Sequence, residues 1–128
     1  MVAKKAVAAF CLMMLLAGCS GGAAEGYTQV SGEEAAQMME EHTDEVVLDV
    51  RTPEEYAEAH IPNAINVPNE EIGDAAIAEL PDKEQLILVY CRSGNRSKLA
   101  AQKLAAQGYT NVVEFGGIND WQGETVAS

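Results

Sequence analysis

One cysteine, Cys91, stands where a protein can turn a thiol into a nucleophile. It directly follows the apolar run of residues 86–90 and opens a short polar segment, after which an Ala- and Leu-rich helical pattern begins. A helix N-terminus supplies unpaired N–H groups and the positive end of the helix dipole, and Arg92 and Arg96 add full charges. Because these surroundings favour the thiolate, we predict that Cys91 is reactive rather than a buried structural cysteine.

The polar segment has a length that suits a cup around one sulfur atom. Its residues 91–96 can curl so that successive backbone N–H groups point at the thiolate. Gly94 permits the backbone conformation that such a curl requires, and Ser93 is small enough to leave the mouth open. We therefore predict a substrate-binding loop, supported by Ser97, whose members are Arg92, Ser93, Gly94, Asn95 and Arg96.

The charge of this loop contrasts with that of the chain, which has 8 Lys and Arg against 20 Asp and Glu and a formal charge of −12. Such acidity argues against nucleic-acid binding. Four cations nonetheless lie in or just after the loop, namely Arg92, Arg96, Lys98 and Lys103, which predicts a local anion site. We expect Arg92 to attract the anion at the rim, with a solvated surface arginine as the alternative. Arg96 is expected to hold the loop through backbone carbonyls.

The first residues are typical of an export signal. Residues 1–5 are basic, residues 6–16 are apolar but too few to span a bilayer, and Leu16-Ala17-Gly18-Cys19 resembles the lipobox of bacterial lipoproteins. We predict a signal peptide over residues 1–18, a lipidated Cys19 with a flexible tether to residue 26, and one domain over residues 27–128. An ordinary secretory signal and an uncleaved anchor are the alternatives. The expected location is the bacterial cell envelope, lipid-anchored to a membrane on the extracytoplasmic side.

Removal of this signal would leave Cys91 as the sole free thiol. Cys11 leaves with the signal and Cys19 is alkylated, so we expect neither an internal disulfide nor dithiol chemistry. The remaining 110 residues, with six cations and a formal charge of −14, suffice for one compact domain.

Apolar periodicity predicts strands that alternate with helices. The predicted strands cover residues 27–30, 46–50, 64–67, 86–90 and 112–115. The predicted helices cover residues 32–41, 53–59, 69–80 and 97–107, the first two behind capping boxes and the last closed by Gly108. This alternation predicts an α/β fold, a five-stranded, mainly parallel sheet with helices on both faces. Sites in such sheets gather at the carboxyl ends of strands, where Cys91 falls.

Four segments in matching order resemble the rhodanese homology domain. They are residues 49–56, 60–68, 90–97 and 116–118, the last followed by Trp121 and Gly123. The chain departs from the family at Ala59 and Asn63, where the family usually has glycine. Because Asn tolerates left-handed backbone geometry, Asn63 is expected to replace a turn glycine.

The resemblance implies sulfur transfer through a persulfide on Cys91. The sulfur would come from thiosulfate or a related small anionic donor and pass to a thiol or to cyanide. It also implies that Asp49 and Arg51 brace the loop near the strand ends, since an activated thiolate needs no general base. We expect no cofactor, no metal at the two isolated histidines, and a monomer.

Two other functions stay open at this point. Phosphatases and arsenate reductases of related fold use Cys-x5-Arg loops, whereas Cys91 and Arg96 are separated by only four residues, so a smaller sulfur centre is favoured. A non-enzymatic rhodanese module that relays persulfide sulfur to a bound partner is the second alternative.

Overall fold

Five parallel strands form the central sheet of the protein. The structure, a computed structural model, describes residues 26–128. The strands are β1 (Thr28–Gln29), β2 (Val46–Asp49), β3 (Ile65–Asn66), β4 (Ile87–Cys91) and β5 (Val112–Gly117). They lie in the order β1-β5-β4-β2-β3, and every neighbouring pair is parallel. The predicted α/β class is confirmed.

Within residues 26–128, three α-helices cover the sheet, and their first turns follow from the sequence. They are α1 (Gly32–Glu41), α2 (Pro53–Glu58) and α3 (Asn95–Ala106). Ser31 caps α1 and Thr52 caps α2, each in a complete capping box with the glutamate three residues later. Short 3₁₀ turns at Asn69–Glu71 and Ile118–Asp120 complete the regular structure.

The two faces of the sheet are buried against different helices. Alternate residues of β4 divide between them, with Leu88 and Tyr90 on the α1 side and Ile87, Val89 and Cys91 on the α3 side. Helices on both faces are therefore confirmed, and Cys91 ends the central strand on the side that α3 covers.

The prediction of a helix over residues 69–80 is wrong. Only a single 3₁₀ turn, Asn69–Glu71, forms there, although Ile72, Ile77 and Leu80 are buried in the core on the α3 side. Gly73 breaks the pattern because glycine loses the most backbone freedom in a helix. The side chain of Gln107 donates hydrogen bonds to the carbonyls of residues 73 and 75, which an α-helix would use internally.

Three positions adopt the left-handed backbone geometry that the sequence indicated. Gly94, at φ 109°, is the left-handed N-cap of α3, so this helix begins at Asn95, two residues before the predicted start. Gly108, at φ 102°, follows the helix, and Asn63, at φ 71°, takes the place of a turn glycine.

The predicted signal peptide and lipidated Cys19 lie outside the described residues. None of the helices within residues 26–128 combines the length and the apolar character that a bilayer crossing requires.

Candidate active site

Backbone amides converge on the sulfur of Cys91, as the loop was predicted to allow. The amide of Gly94 donates to Sγ at 3.0 Å, and the Ser97 hydroxyl lies 3.4 Å from it. Burial raises the pKa of the Cys91 thiol, but hydrogen bonds from the Ser97 hydroxyl and from the amides of Ser97, Gly94 and Ser93 outweigh it, so the net pKa is lowered. The site therefore favours the thiolate.

Glycines let the loop lie directly on the end of the sheet. A Cβ on Gly117, which pairs with Cys91 across β4 and β5, would lie 2.1 Å from the carbonyl oxygen of Arg92. An added Cβ on Gly94 would lie 3.6 Å from the backbone of Gly116, which is ordinary van der Waals contact, so Gly94 is required for its left-handed φ rather than for space. Asn119 also holds the loop, because its backbone N–H donates to the Arg92 carbonyl at 3.1 Å.

The sulfur lies at the bottom of this cup. Cys91 is 1% exposed, whereas Arg92, Ser93 and Asn95 around it are exposed. The burial that a structural cysteine would show is present, but the thiol has amide partners that such a cysteine does not need. A reactant must enter through the rim formed by the three exposed residues.

Glu55 binds the loop arginines, a contact that the sequence did not indicate. Arg96 donates to both carboxylate oxygens of Glu55, at 2.8 and 3.1 Å, instead of to loop carbonyls as predicted. Arg92, whose side chain is 66% exposed, lies 3.9 Å from the same carboxylate. The hydrogen bond from Arg96 is the main cause that lowers the pKa of Glu55 to about 2. Glu55 and Arg96 are 41 positions apart, so no local spacing could reveal the pair.

Two of the four cations that were predicted to form an anion site are bound to other groups of the protein. Lys103 donates to the carbonyl and to the side chain of Asn69, and Arg96 is matched by Glu55. Arg92 and Lys98 are the two exposed cations of the original four. Of the predicted anion site, Arg92 is the exposed cation that lies in the loop itself, and Lys98 is the exposed cation in the first turn of α3.

Asp49 and Arg51 brace the strand ends on the opposite face of the sheet. Arg51 pairs with the buried Asp49 at 2.6 Å and donates to the carbonyl of Ala59, beyond the end of α2. The hydroxyl of Tyr90 donates to Asp49 at 2.7 Å and accepts from the Ile61 amide. Because Tyr90 directly precedes Cys91, this network fixes the end of β4 without touching the loop itself.

Ser97 has a buried carboxylate as its neighbour. Its hydroxyl lies 2.5 Å from Oε2 of Glu114, a residue of β5 that is 2% exposed. Glu114 was not among the predicted site residues, although a charged residue within the apolar run 112–115 was a signal for it.

The histidines have structural contacts. His60 stacks on Tyr56 and its Nδ1 lies 2.8 Å from the Tyr56 carbonyl, while His42 ends α1 beside the Met38 carbonyl. In the part of the chain that the structure describes, no His, Cys, Asp and Glu side chains are grouped to hold a metal ion.

A thiol held by backbone amides at the carboxyl edge of a parallel α/β sheet is suited to act as a nucleophile. The chain belongs to the rhodanese-like family, because the family described as "Rhodanese-like domain" matches residues 31–124.

Its relatives include named sulfurtransferases. Thiosulfate sulfurtransferase PspE of Escherichia coli is 40% identical over 73 residues, which cover 57% of this chain and 70% of PspE. The adenylyltransferase and sulfurtransferase UBA4 of Candida albicans is 39% identical over 100 residues, which are 73% of this chain but only 23% of UBA4. A solved structure, described as rhodanese with anions from E. coli, superposes with a TM-score of 0.61 at 37% identity and covers 66% of this chain and 99% of that one.

Proposed function

We propose that the protein is a rhodanese-type sulfurtransferase that carries sulfane sulfur as a persulfide on Cys91. The observation that supports this most is the set of amides directed at Sγ, with Gly94 N at 3.0 Å. These donors stabilise negative charge on the first sulfur and, once a second sulfur is attached, on the persulfide. Membership of the rhodanese-like family supports the same chemistry.

The reaction needs two displacements at sulfur. The Cys91 thiolate attacks the outer sulfur of thiosulfate, an S–S bond forms to Cys91, and the S–S bond of the donor breaks with its electron pair leaving on sulfite. A thiol or cyanide then attacks the outer sulfur of the persulfide, and the Cys91 thiolate leaves. No proton has to be removed from the donor, so Asp49 and Arg51 need not take part.

Arg92 is the group that we assign to donor capture. It is the exposed arginine of the rim, and its contact with Glu55, at 3.9 Å, is long. A dianion that reaches the rim gains a charge-assisted contact there, while the rest of the surface, with its excess of carboxylates, repels it. The natural donor would be a small sulfur-carrying anion like thiosulfate, and the natural acceptor would be a nucleophile like a thiol.

We also propose that the protein is held at the envelope membrane through a lipidated Cys19. The lipobox-like sequence that ends at Cys19 supports this, together with the glycine-rich segment that follows it. In this arrangement the domain would exchange sulfur with small molecules or with thiols of neighbouring proteins outside the cytoplasm.

The decisive experiment incubates the full chain with thiosulfate and then locates the product by mass spectrometry of its peptides. We expect one added sulfur atom on Cys91, and release of thiocyanate when cyanide follows. Cys91→Ser, which keeps the shape of the side chain, is expected to fold and to lose both signals.

Three results separate the proposal from its alternatives. Thiocyanate release with multiple turnovers supports the enzyme. If the adduct forms but its outer sulfur passes only to a protein thiol, the protein is a persulfide relay rather than an enzyme. Failure to form the adduct, together with hydrolysis of an aryl phosphate, would refute the proposal in favour of a phosphatase.

A further inference from the structure

Glu55 occupies the side chain of Arg96 in the way that a bound oxyanion would. Its two oxygens accept from Nη1 and Nη2 of Arg96 at 2.8 and 3.1 Å, and guanidinium groups make the same two-point contact with phosphate groups. Oε2 of Glu55 also lies 3.9 Å from Nη1 of Arg92. The carboxylate therefore uses hydrogen-bond donors that an incoming oxyanion could otherwise bind.

Glu55 is also fixed in place from its own helix. Its Oε1 accepts from the backbone N–H of Thr52 at 3.0 Å and from the Thr52 hydroxyl at 3.1 Å, within the capping box that begins α2. The carboxylate cannot turn away without losing its hydrogen bonds to Thr52 and Arg96. The hydrogen bond from Arg96 is the main cause that lowers the pKa of Glu55 to about 2, so the group carries its negative charge at neutral pH.

The rim consequently has less positive charge than its two arginines suggest. Arg96 is close enough to Cys91 for their charges to interact, but its own charge is matched by Glu55. An anion at the rim is attracted by the exposed Arg92 and repelled by the fixed carboxylate beside it. Such a rim attracts small anions without holding them firmly.

Weak retention of anions suits the proposed reaction. Thiosulfate enters as an oxyanion and sulfite leaves as one, while sulfate and phosphate resemble them in charge and shape but carry no sulfane sulfur. An oxyanion that stayed at the rim would block the acceptor. Thiosulfate itself does not need tight binding, because its outer sulfur becomes covalently attached to Cys91.

We infer that Glu55 is a specificity-determining residue, an internal carboxylate that occupies Arg96 and keeps unreactive oxyanions from binding at the mouth of the Cys91 loop. Its use in turnover rests on the proposed function, whereas its effect on anion binding does not.

The test measures how well inorganic phosphate protects Cys91 from alkylation by iodoacetamide. The full chain is alkylated at constant pH and ionic strength while phosphate replaces chloride, and peptide mass spectrometry gives the rate at Cys91. A phosphate ion at the rim blocks the reagent, so the concentration that halves the rate reports the affinity for phosphate. We expect weak protection of the parent chain.

Glu55→Gln removes the charge of the side chain but keeps its shape. The amide group has one accepting oxygen where the carboxylate has two, so Arg96 regains an N–H donor for phosphate. We expect the half-protecting phosphate concentration to fall roughly three- to tenfold, as for the gain of a charge-assisted contact at a partly exposed site.

Glu54→Gln is the matched control for the loss of charge. Glu54 precedes Glu55 on α2, is exposed and makes none of the ion pairs within residues 26–128, so phosphate should protect this variant like the parent chain. A double variant, Glu55→Gln with Arg96→Gln, removes the whole ion pair. Because Glu55 already occupies Arg96 in the parent chain, the double variant should also bind phosphate like the parent, and it extends the test if Glu55→Gln alone does not fold.

Equal half-protecting concentrations in Glu55→Gln and in the parent chain would overturn the inference, and so would the same gain in Glu54→Gln. Markedly weaker protection of the double variant would also overturn it, because Arg96 would then bind anions despite Glu55. None of these measurements involves sulfur transfer. A protein that formed no persulfide could still show the effect, and a sulfurtransferase without the effect would refute this inference alone.

Discussion

At the residue scale, the groups that lower the pKa of Cys91 are its neighbours in sequence, whereas residues that hold the loop in place lie far away in sequence. Cys91, Gly94 and the exposed Arg92 could be predicted because their roles follow from one short segment at a strand-to-helix junction. Glu55 and Glu114 could not, because they reach the loop from 41 and 17 positions away only after the sheet has formed. Local patterns identify the nucleophile and the donors that lower its pKa, whereas the contacts that hold the loop in place form only when the chain folds.

Arg92→Ala tests donor capture. We expect KM for thiosulfate to rise roughly three- to tenfold, as for loss of an exposed charge-assisted contact of about 1 kcal/mol, with little change in kcat. Steady-state kinetics at two salt concentrations measure this, and the salt dependence of KM should weaken in the variant. Unfolding by denaturant serves as the control and should be unchanged. An unaltered KM would mean that Arg92 is a solvated surface residue.

Glu55→Gln tests the pair that holds Arg96. Glutamine preserves the capping box at Thr52 but removes the ion pair, so we expect a loss of roughly 1–2 kcal/mol of unfolding free energy at neutral pH. The pKa of Glu55 in the folded protein, about 2, is below its ordinary value of 4.5. The pair therefore stabilises the protein fully above pH 4.5, and this contribution is lost as the pH falls towards 2.

Denaturant unfolding across this range of pH distinguishes the parent chain from Glu55→Gln. The difference in unfolding free energy between the parent chain and Glu55→Gln should shrink as the pH falls from 4.5 towards 2. Glu84→Gln, which removes an exposed carboxylate, is the matched control and should follow the parent chain. A constant difference would show that the pair does not act through the charge of Glu55.

At the scale of elements, the sequence predicted strands and helices well where an apolar period and a cap coincided. Both capping boxes and all five strands are present. The failure over residues 69–80 arose because buried apolar side chains alone do not specify a helix. Ile72, Ile77 and Leu80 are anchored in the core by an irregular segment whose carbonyls bind the side chain of Gln107.

The contact between the loop and β5 is the junction of elements on which the site depends. In Gly117→Ala the new Cβ would lie 2.1 Å from the Arg92 carbonyl oxygen and 2.6 Å from the Ser93 amide nitrogen. Both are backbone atoms, so no side chain can rotate away to relieve the clash. The loop must move, so the amides lose their alignment on Sγ. We expect a loss of roughly 2–4 kcal/mol in stability and at least a tenfold slower alkylation of Cys91 at neutral pH.

Gly73→Ala is the matched control for this change. An added Cβ at position 73 meets nothing within 4 Å, so alkylation and stability should stay close to those of the parent chain. Alkylation by iodoacetamide, read at Cys91 by peptide mass spectrometry, measures both variants. Equal rates in Gly117→Ala and in the parent chain would show that the close approach does not shape the site.

At the scale of the whole molecule, charge and burial select what can reach the sulfur. The chain carries 20 acidic groups, and its thiol, 1% exposed, lies below a rim with one weakly paired arginine. Large polyanions are repelled by such a surface, while a small anion can enter the cup. A persulfide on Cys91 would extend towards this rim and could meet a thiol there, either free or on another protein.

Attachment of this molecule to a membrane is the remaining prediction, and it concerns Cys19. In bacterial cells that process lipoproteins, the parent chain should fractionate with membranes and carry the mass of a lipid modification. Cys19→Ala removes the acceptor of that modification and is expected to lose both signals. Cys11→Ala, within the predicted signal, should retain both. Since Cys91 is untouched, sulfur transfer by Cys19→Ala should match that of the parent chain, and full retention of Cys19→Ala in the membrane fraction would refute attachment through this residue.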